Sequence, residues 1–149
     1  MKIRLYGSIL ILKNNKVLLL HHPAKYKNLN KEHNSDIWSL PIDEINNESI
    51  EESAIKQVKK EINLDISNIE IFDADDEFSD NVHLVNLYIH AKKINGEINI
   101  ENNDSIDQYE WFKLESLPDN ISKLSEKAVK VYKIKRDDWY EKIKEKYDL

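Results

Sequence analysis

Gln57, Lys60 and Glu61 stand at i, i+3 and i+4 in a stretch of helical periodicity, so their side chains share one face. That face offers one carboxylate, one amide and one ammonium. A carboxylate can take a proton or ligate a cation. An amide can orient water but cannot act as a base near neutral pH. A hard divalent cation wants several anionic oxygens, and this face has one. An ammonium 4 to 6 Å from a cation opposes its binding by about 3 to 4 kcal/mol per cationic charge. Lys60 can reduce that penalty by swinging its head into solvent.

The five histidines, His21, His22, His33, His83 and His90, show no zinc-ligand spacing with a carboxylate or a second imidazole. Adjacent His21 and His22 point to opposite faces of a strand and are poorly placed to share a metal. Cysteine is absent, which excludes a disulfide framework, a thiolate metal site and a cysteine nucleophile. With only Gly7 and Gly96, a glycine-rich phosphate loop is excluded as well.

The helix that carries the face is clearly written. Ser49 is the cap and Glu52 follows three residues later, the pattern of a capping box. Glu51 and Glu52 suit the positive end of the helix dipole. Ala54, Ile55, Val58 and Ile62 make a core-facing stripe, and Asn63 suits a left-handed C-terminal position. Residues 3 to 12 and 16 to 22 read as two strands joined by a turn at Asn14-Asn15. Residues 23 to 36 are a long polar loop. Residues 68 to 75 read as a strand, followed by an acidic turn at Asp75-Asp76-Glu77. Residues 82 to 91 alternate and read as a central strand. Asn95-Gly96 is a hairpin signal leading to a short strand, 96 to 100. A polar loop, 101 to 107, precedes a strand at 109 to 114, and residues 121 to 147 are helical, with Leu124, Ala128, Val131, Tyr132, Trp139, Tyr140 and Ile143 as apolar anchors. Trp38, Leu40, Ala54, Ile55, Val58, Ile62, Leu64, Val85, Leu87, Ile89, Trp111 and Leu114 are the expected core.

The stretch from Pro41 to Leu64 resembles the Nudix box, G-x5-E-x7-R-E-U-x-E-E-x-G-U with U apolar. Anchored on Glu48, it keeps the seven-residue spacer from Ser49 to Ile55. Lys56 stands at the Arg position, Gln57 at the first helix Glu, Lys60 at the second and Glu61 at the third. Asn63 stands for the last Gly and Leu64 for the final apolar residue. Pro41 is followed by Ile42-Asp43 rather than Gly-Gly, and the loop to Glu48 is one residue short. Trp111-Phe112-Lys113-Leu114-Glu115-Ser116-Leu117-Pro118 is similar to the family's closing strand and LEELP-like segment. The resemblance runs from residue 3 to about 134.

The resemblance implies an α+β fold: a Nudix-like mixed sheet sandwiched between helices, in a single domain spanning 1–149 with a C-terminal helical extension at about 121–147. Another α+β sandwich with the same element order is the alternative. It also implies cleavage of a pyrophosphate linked to a nucleoside, with Mg²⁺ or Mn²⁺ held by helix carboxylates. On that basis Glu61 and Glu48 are the candidate catalytic residues, and Glu61 and Asp104 the candidate metal ligands. His22, Lys25 and Trp38 are the candidate substrate-binding residues. The family's further loop carboxylate falls on Ser105, with Asp104 and Asp107 beside it.

Three carboxylate positions are thus replaced, by Gln57, Lys60 and Ser105. The expectation is lost or weak catalysis with a retained cleft for a small nucleotide-like ligand, and Mg²⁺ or Mn²⁺ only if the chain is active. One alternative is an active divergent hydrolase using carboxylates relocated to Asp43, Glu44, Glu51, Glu52 or Asp104. The other is a protein-interaction module on the same fold. More plainly, Glu61 is a solvated helix residue and Glu48 a local partner for Lys56. Net charge is -6 over 149 residues, which disfavours a general nucleic-acid binder. The longest apolar run, Ile9 to Leu12, is too short for a membrane span or a signal segment. A cytoplasmic location is the matching expectation.

Overall fold

The computed structural model describes residues 1–23, 36–101 and 103–147. In chain order they form β1 (Lys2–Lys13), β2 (Lys16–His22), β3 (Ile37–Ser39), β4 (Ile42–Glu44), α1 (Ile50–Ile62), β5 (Asp65–Ser79), β6 (Val82–Asn95), β7 (Gln108–Lys113) and α2 (Lys123–Tyr147). The sheet runs β3-β2-β1-β6-β5, with β4 on β1 and β7 on β2. β1 and β6 are parallel, while the other pairs are antiparallel. This is the expected mixed sheet.

Both faces of the sheet are covered, which explains why its inner strands read as unbroken apolar runs. Ile9, Ile11, Leu18 and Leu20 face α1, where they meet Ala54, Val58 and Ile62. Leu10, Val17 and Leu19 face α2, where they meet Leu40, Tyr88, Ala128 and Val129. Of the expected core, Trp38, Ile55, Val85 and Trp111 are only half-buried and pack against its margins. The other eight residues are buried.

The β1–β2 hairpin turns at Asn14 and Asn15, with φ of 52° and 63°. Asparagine tolerates that left-handed region, and such a turn matches strand twist. Ile42 and Asp43 show no positive φ and instead form β4, pairing with Ser8 and Gly7. The positive φ of that connection falls on Asn47, at 55°.

Three sequence expectations are corrected. Asp75-Asp76-Glu77 is not a turn. β5 continues through it to Ser79, and the chain reverses at Asp80 and Asn81, with φ of 43° and 65°. The acidic side chains are tolerated in the strand because they find partners. Asp75 accepts from Tyr88 and Asn86, and Asp76 meets His83. Residues 96–100 form no strand. They pass the end of α1, where the Asn99 N–H donates to Ile62 O. Trp139 and Tyr140 do not anchor α2 to the domain; they are 57% and 51% exposed.

Candidate functional site

α1 presents its polar face as the sequence implies. The Ser49 hydroxyl oxygen accepts from the Glu52 N–H at 3.0 Å, and the hydroxyl donates to the Glu52 carboxylate at 3.2 Å. The returning arm of the capping box therefore ends on the Ser49 side chain. Asn63 closes the helix at φ 61°, with its N–H on Lys59 O. Val58 and Ile62 are fully buried and fix the helix rotation. That rotation leaves Gln57 and Glu61 half-buried at the edge of the interface and Lys60 exposed.

Gln57 Nε2 donates to Glu61 Oε2 at 3.0 Å. Glu61 Oε1 is shielded from solvent and accepts no hydrogen bond from the described residues. Burial, and next the negative charge of Asp43, push the Glu61 carboxyl up to about 7; the Gln57 hydrogen bond and the Lys60 charge oppose this. Asp43 reaches this face because β4 alternates. Ile42 packs toward α2, while Asp43 lines a small void with Gln57, Ser53 and Gly7. Glu48 forms an ion pair with Lys56 at 3.2 Å. Glu44 is taken by Arg4.

The loop before β7 reaches α1 through Asn103, whose Nδ2 donates to the Glu61 carbonyl at 3.3 Å. Asn103 Oδ1 accepts from the Ser105 N–H at 3.0 Å and the Ser105 hydroxyl at 2.8 Å. His22 Nδ1 donates to Ser105 O at 3.1 Å, so Nε2 is the acceptor for the Ser39 hydroxyl at 3.0 Å. Burial lowers the His22 pKa and favours this neutral form. A polar chain thus runs from His22 through Ser105 and Asn103 to the end of α1. Asn103, Asn99, Lys59, Lys60, Glu61 and Asn63 enclose a pocket of about 220 Å³.

The sequence-derived candidates separate. His22 and Glu61 lie on the same side of the sheet, joined by that chain. Trp38 lies on the other side, its ring 4.9 Å from His21 and 5.0 Å from Phe112, at the margin of the core beneath α2. Asp104 is exposed and neither lines the pocket nor acts on the Glu61 charge. Lys25 lies outside the described residues. Sequence reasoning missed Asn99 and Asn103, since a polar loop gives no periodicity that would aim its side chains. It also missed the pair of His21 Nδ1 with Asp107 Oδ1 at 2.5 Å, which joins β2 to the start of β7.

The implied divalent metal can be tested against this donor set. Among the described residues no group of three or more His, Asp or Glu side chains is placed to hold one. Among the described residues the orphaned Glu61 oxygen is a single ligand. Lys60 adds a positive charge on the same face. These residues do not fit a resident Mg²⁺ or Mn²⁺.

Several solved structures share the architecture. The MutT NUDIX hydrolase from Burkholderia pseudomallei matches 87% of this chain and 98% of its own, at TM-score 0.72 and 17% identity. The E. coli ORF135 protein matches 91% of this chain and 92% of its own, at TM-score 0.74 and 14% identity. The NUDIX domain of Shewanella oneidensis NrtR, solved with ADP ribose, matches 91% and 88%, at TM-score 0.64 and 15% identity. At these identities the likeness is one of fold. No curated protein matches the sequence. The model of the NUDIX domain matches residues 3–133, spanning every strand and the first half of α2, and on that match the chain belongs to the NUDIX family.

Proposed function

We propose that this chain is a NUDIX-fold domain with lost or weak pyrophosphohydrolase activity that keeps a cleft for a small nucleotide-like ligand. The observation that carries the reading is the α1 face. It holds a single half-protonated carboxyl, Glu61, between the Gln57 amide and the Lys60 ammonium. Such a face neutralises part of a diphosphate's charge with Lys60 and needs no ion to do so. Binding of ADP ribose by the NrtR NUDIX domain supports the ligand class. Fold alone does not fix activity, so the site residues decide.

Calorimetric titration of Mn²⁺ into wild type and into the Gln57→Glu/Lys60→Glu variant tests the reading. Wild type is expected to show no saturable binding below millimolar concentrations, and the double variant to gain it. ADP ribose titrated in the presence of a chelator is expected to bind wild type. Tight Mn²⁺ binding by wild type overturns the reading.

A second reading is favoured by one observation, the charge of Asp43 acting on Glu61. A buried carboxyl whose pKa is raised beside a second carboxyl is a general acid–base arrangement. On that reading the chain is a divergent hydrolase. Phosphate release from a panel of nucleoside diphosphate derivatives, abolished by Glu61→Gln or Asp43→Asn, would establish it.

A further inference from the structure

The second half of α2 leaves the domain. Arg136 is its last tie. Its Nη1 donates to Asn15 Oδ1 at 3.0 Å, and its Nη2 lies 3.7 Å from Glu115. Beyond it, among the described residues, no hydrogen bond or ion pair joins residues 138–147 to the rest of the fold; Lys144 pairs with Glu141 within the helix. Yet this segment carries Trp139, Tyr140 and Tyr147 at 57%, 51% and 60% exposure. Three turns of helix gain little stability alone, and packing of an apolar face normally supplies it. Trp139 and Tyr140 also wall a cleft of about 940 Å³ between α2 and the sheet, opposite Phe72 and His90.

The pattern of the segment specifies what covers it. Arg136, Tyr140, Ile143 and Tyr147 recur at spacings of four, three and four, the seam of a two-helix coiled coil. We infer that α2 pairs antiparallel with α2 of a second copy of this chain, about a two-fold axis between residues 141 and 142. In that register Tyr140 packs on the second copy's Ile143, and Ile143 on its Tyr140. Arg136 comes under the second copy's Tyr147, a cation–π contact. On one flank Asp137 meets the second copy's Lys144. On the other flank Trp139 meets its Lys146. The two-fold doubles every contact, and both flanks pair attractively. A parallel arrangement would instead set Arg136 against Arg136 in the seam and take Asp137 away from Lys144. The contact is isologous and therefore closes as a dimer. The mixed signs of the segment argue against a membrane surface, for which a basic face is the usual match.

Sedimentation equilibrium from about 1 µM to several hundred µM, with a chain mass of 17.6 kDa, tests the assembly. Wild type is expected to move from monomer to dimer, and no further. Asp137→Lys alone places lysine opposite lysine, and Lys144→Glu alone places acid opposite acid. Each is expected to weaken the dimer at least tenfold. Mixed in equal amounts the two variants are complementary at both copies of the 137–144 contact, and they are expected to form a heterodimer at wild-type concentrations. Both side chains are exposed; Asp137 also pairs with Arg136 at 3.3 Å, so circular dichroism of each variant checks the helix, and Lys144→Glu, which touches no tie to the domain, must weaken the dimer by itself. A wild type that stays monomeric, that grows past a dimer, or whose two variants fail to mate on mixing overturns the inference. So does dimerisation unchanged by Ile143→Asp.

Discussion

Glu61 carries a proton at a pH where an ordinary glutamate has lost it, because burial strips its carboxylate of water and Asp43 repels the charge. The folded protein therefore binds that proton more tightly than the unfolded chain. Between 4.5 and about 7 the folded state holds it and the unfolded state does not, so stability falls as pH rises through this window. The effect is at most about 3 kcal/mol, from the size of the shift. Glu61→Gln removes the titration and keeps an acceptor for Gln57. Urea unfolding of the two proteins at pH 5 and pH 8 is expected to show the variant gaining relative to wild type at pH 8. Equal differences at both pH values would show that Glu61 titrates normally. The identity of Glu61 as the one retained helix carboxylate was legible in the sequence. Its protonation was not, because the charge that perturbs it sits on β4, eighteen residues upstream.

At the scale of elements, α1 is fixed by two local devices and one tertiary one. The Ser49 cap satisfies one orphan N–H, and Ser49→Ala is expected to cost about 1 kcal/mol in chemical denaturation. Val58 is fully buried between α1 and the sheet. Val58→Asp places a charge there with no partner and is expected to unfold the domain or cost more than about 3 kcal/mol. Circular dichroism and the denaturation midpoint read the outcome; a native-like variant would mean that the helix is rotated differently. The stripe, cap and C-terminal asparagine all predicted this helix. The short strands β3 and β4 were not predicted, for three residues are too few to show a period. Their pairing comes from β2 and β1, which are distant in sequence.

Across the whole molecule, the β3–β4 connection and α2 hold one another. The Leu40 N–H donates to Ser125 Oγ at 2.9 Å, and both residues are buried. The Ser122 N–H donates to Trp38 O at 2.8 Å, and the Trp38 N–H to Asn120 O at 3.0 Å. Ser125→Ala leaves the Leu40 N–H without a partner and is expected to cost about 1 to 3 kcal/mol. Hydrogen exchange at Leu40 should rise with it, and an unchanged rate would show that another acceptor takes over. By itself the sequence determined the family, the two-faced sheet and the helix that carries the site. Each rests on local pattern: continuous apolar runs for strands buried on both sides, a 3.6-residue stripe, and a cap. Only the tertiary structure decided which loop residue meets α1. Asn103 does so, and neither Asp104 nor Ser105. It alone separated Trp38 from His22, by putting their side chains on opposite sides of the sheet. It also showed that the apolar stripe of α2 outruns the sheet that covers its first half. Such decisions depend on where distant segments cross, and no local period records that.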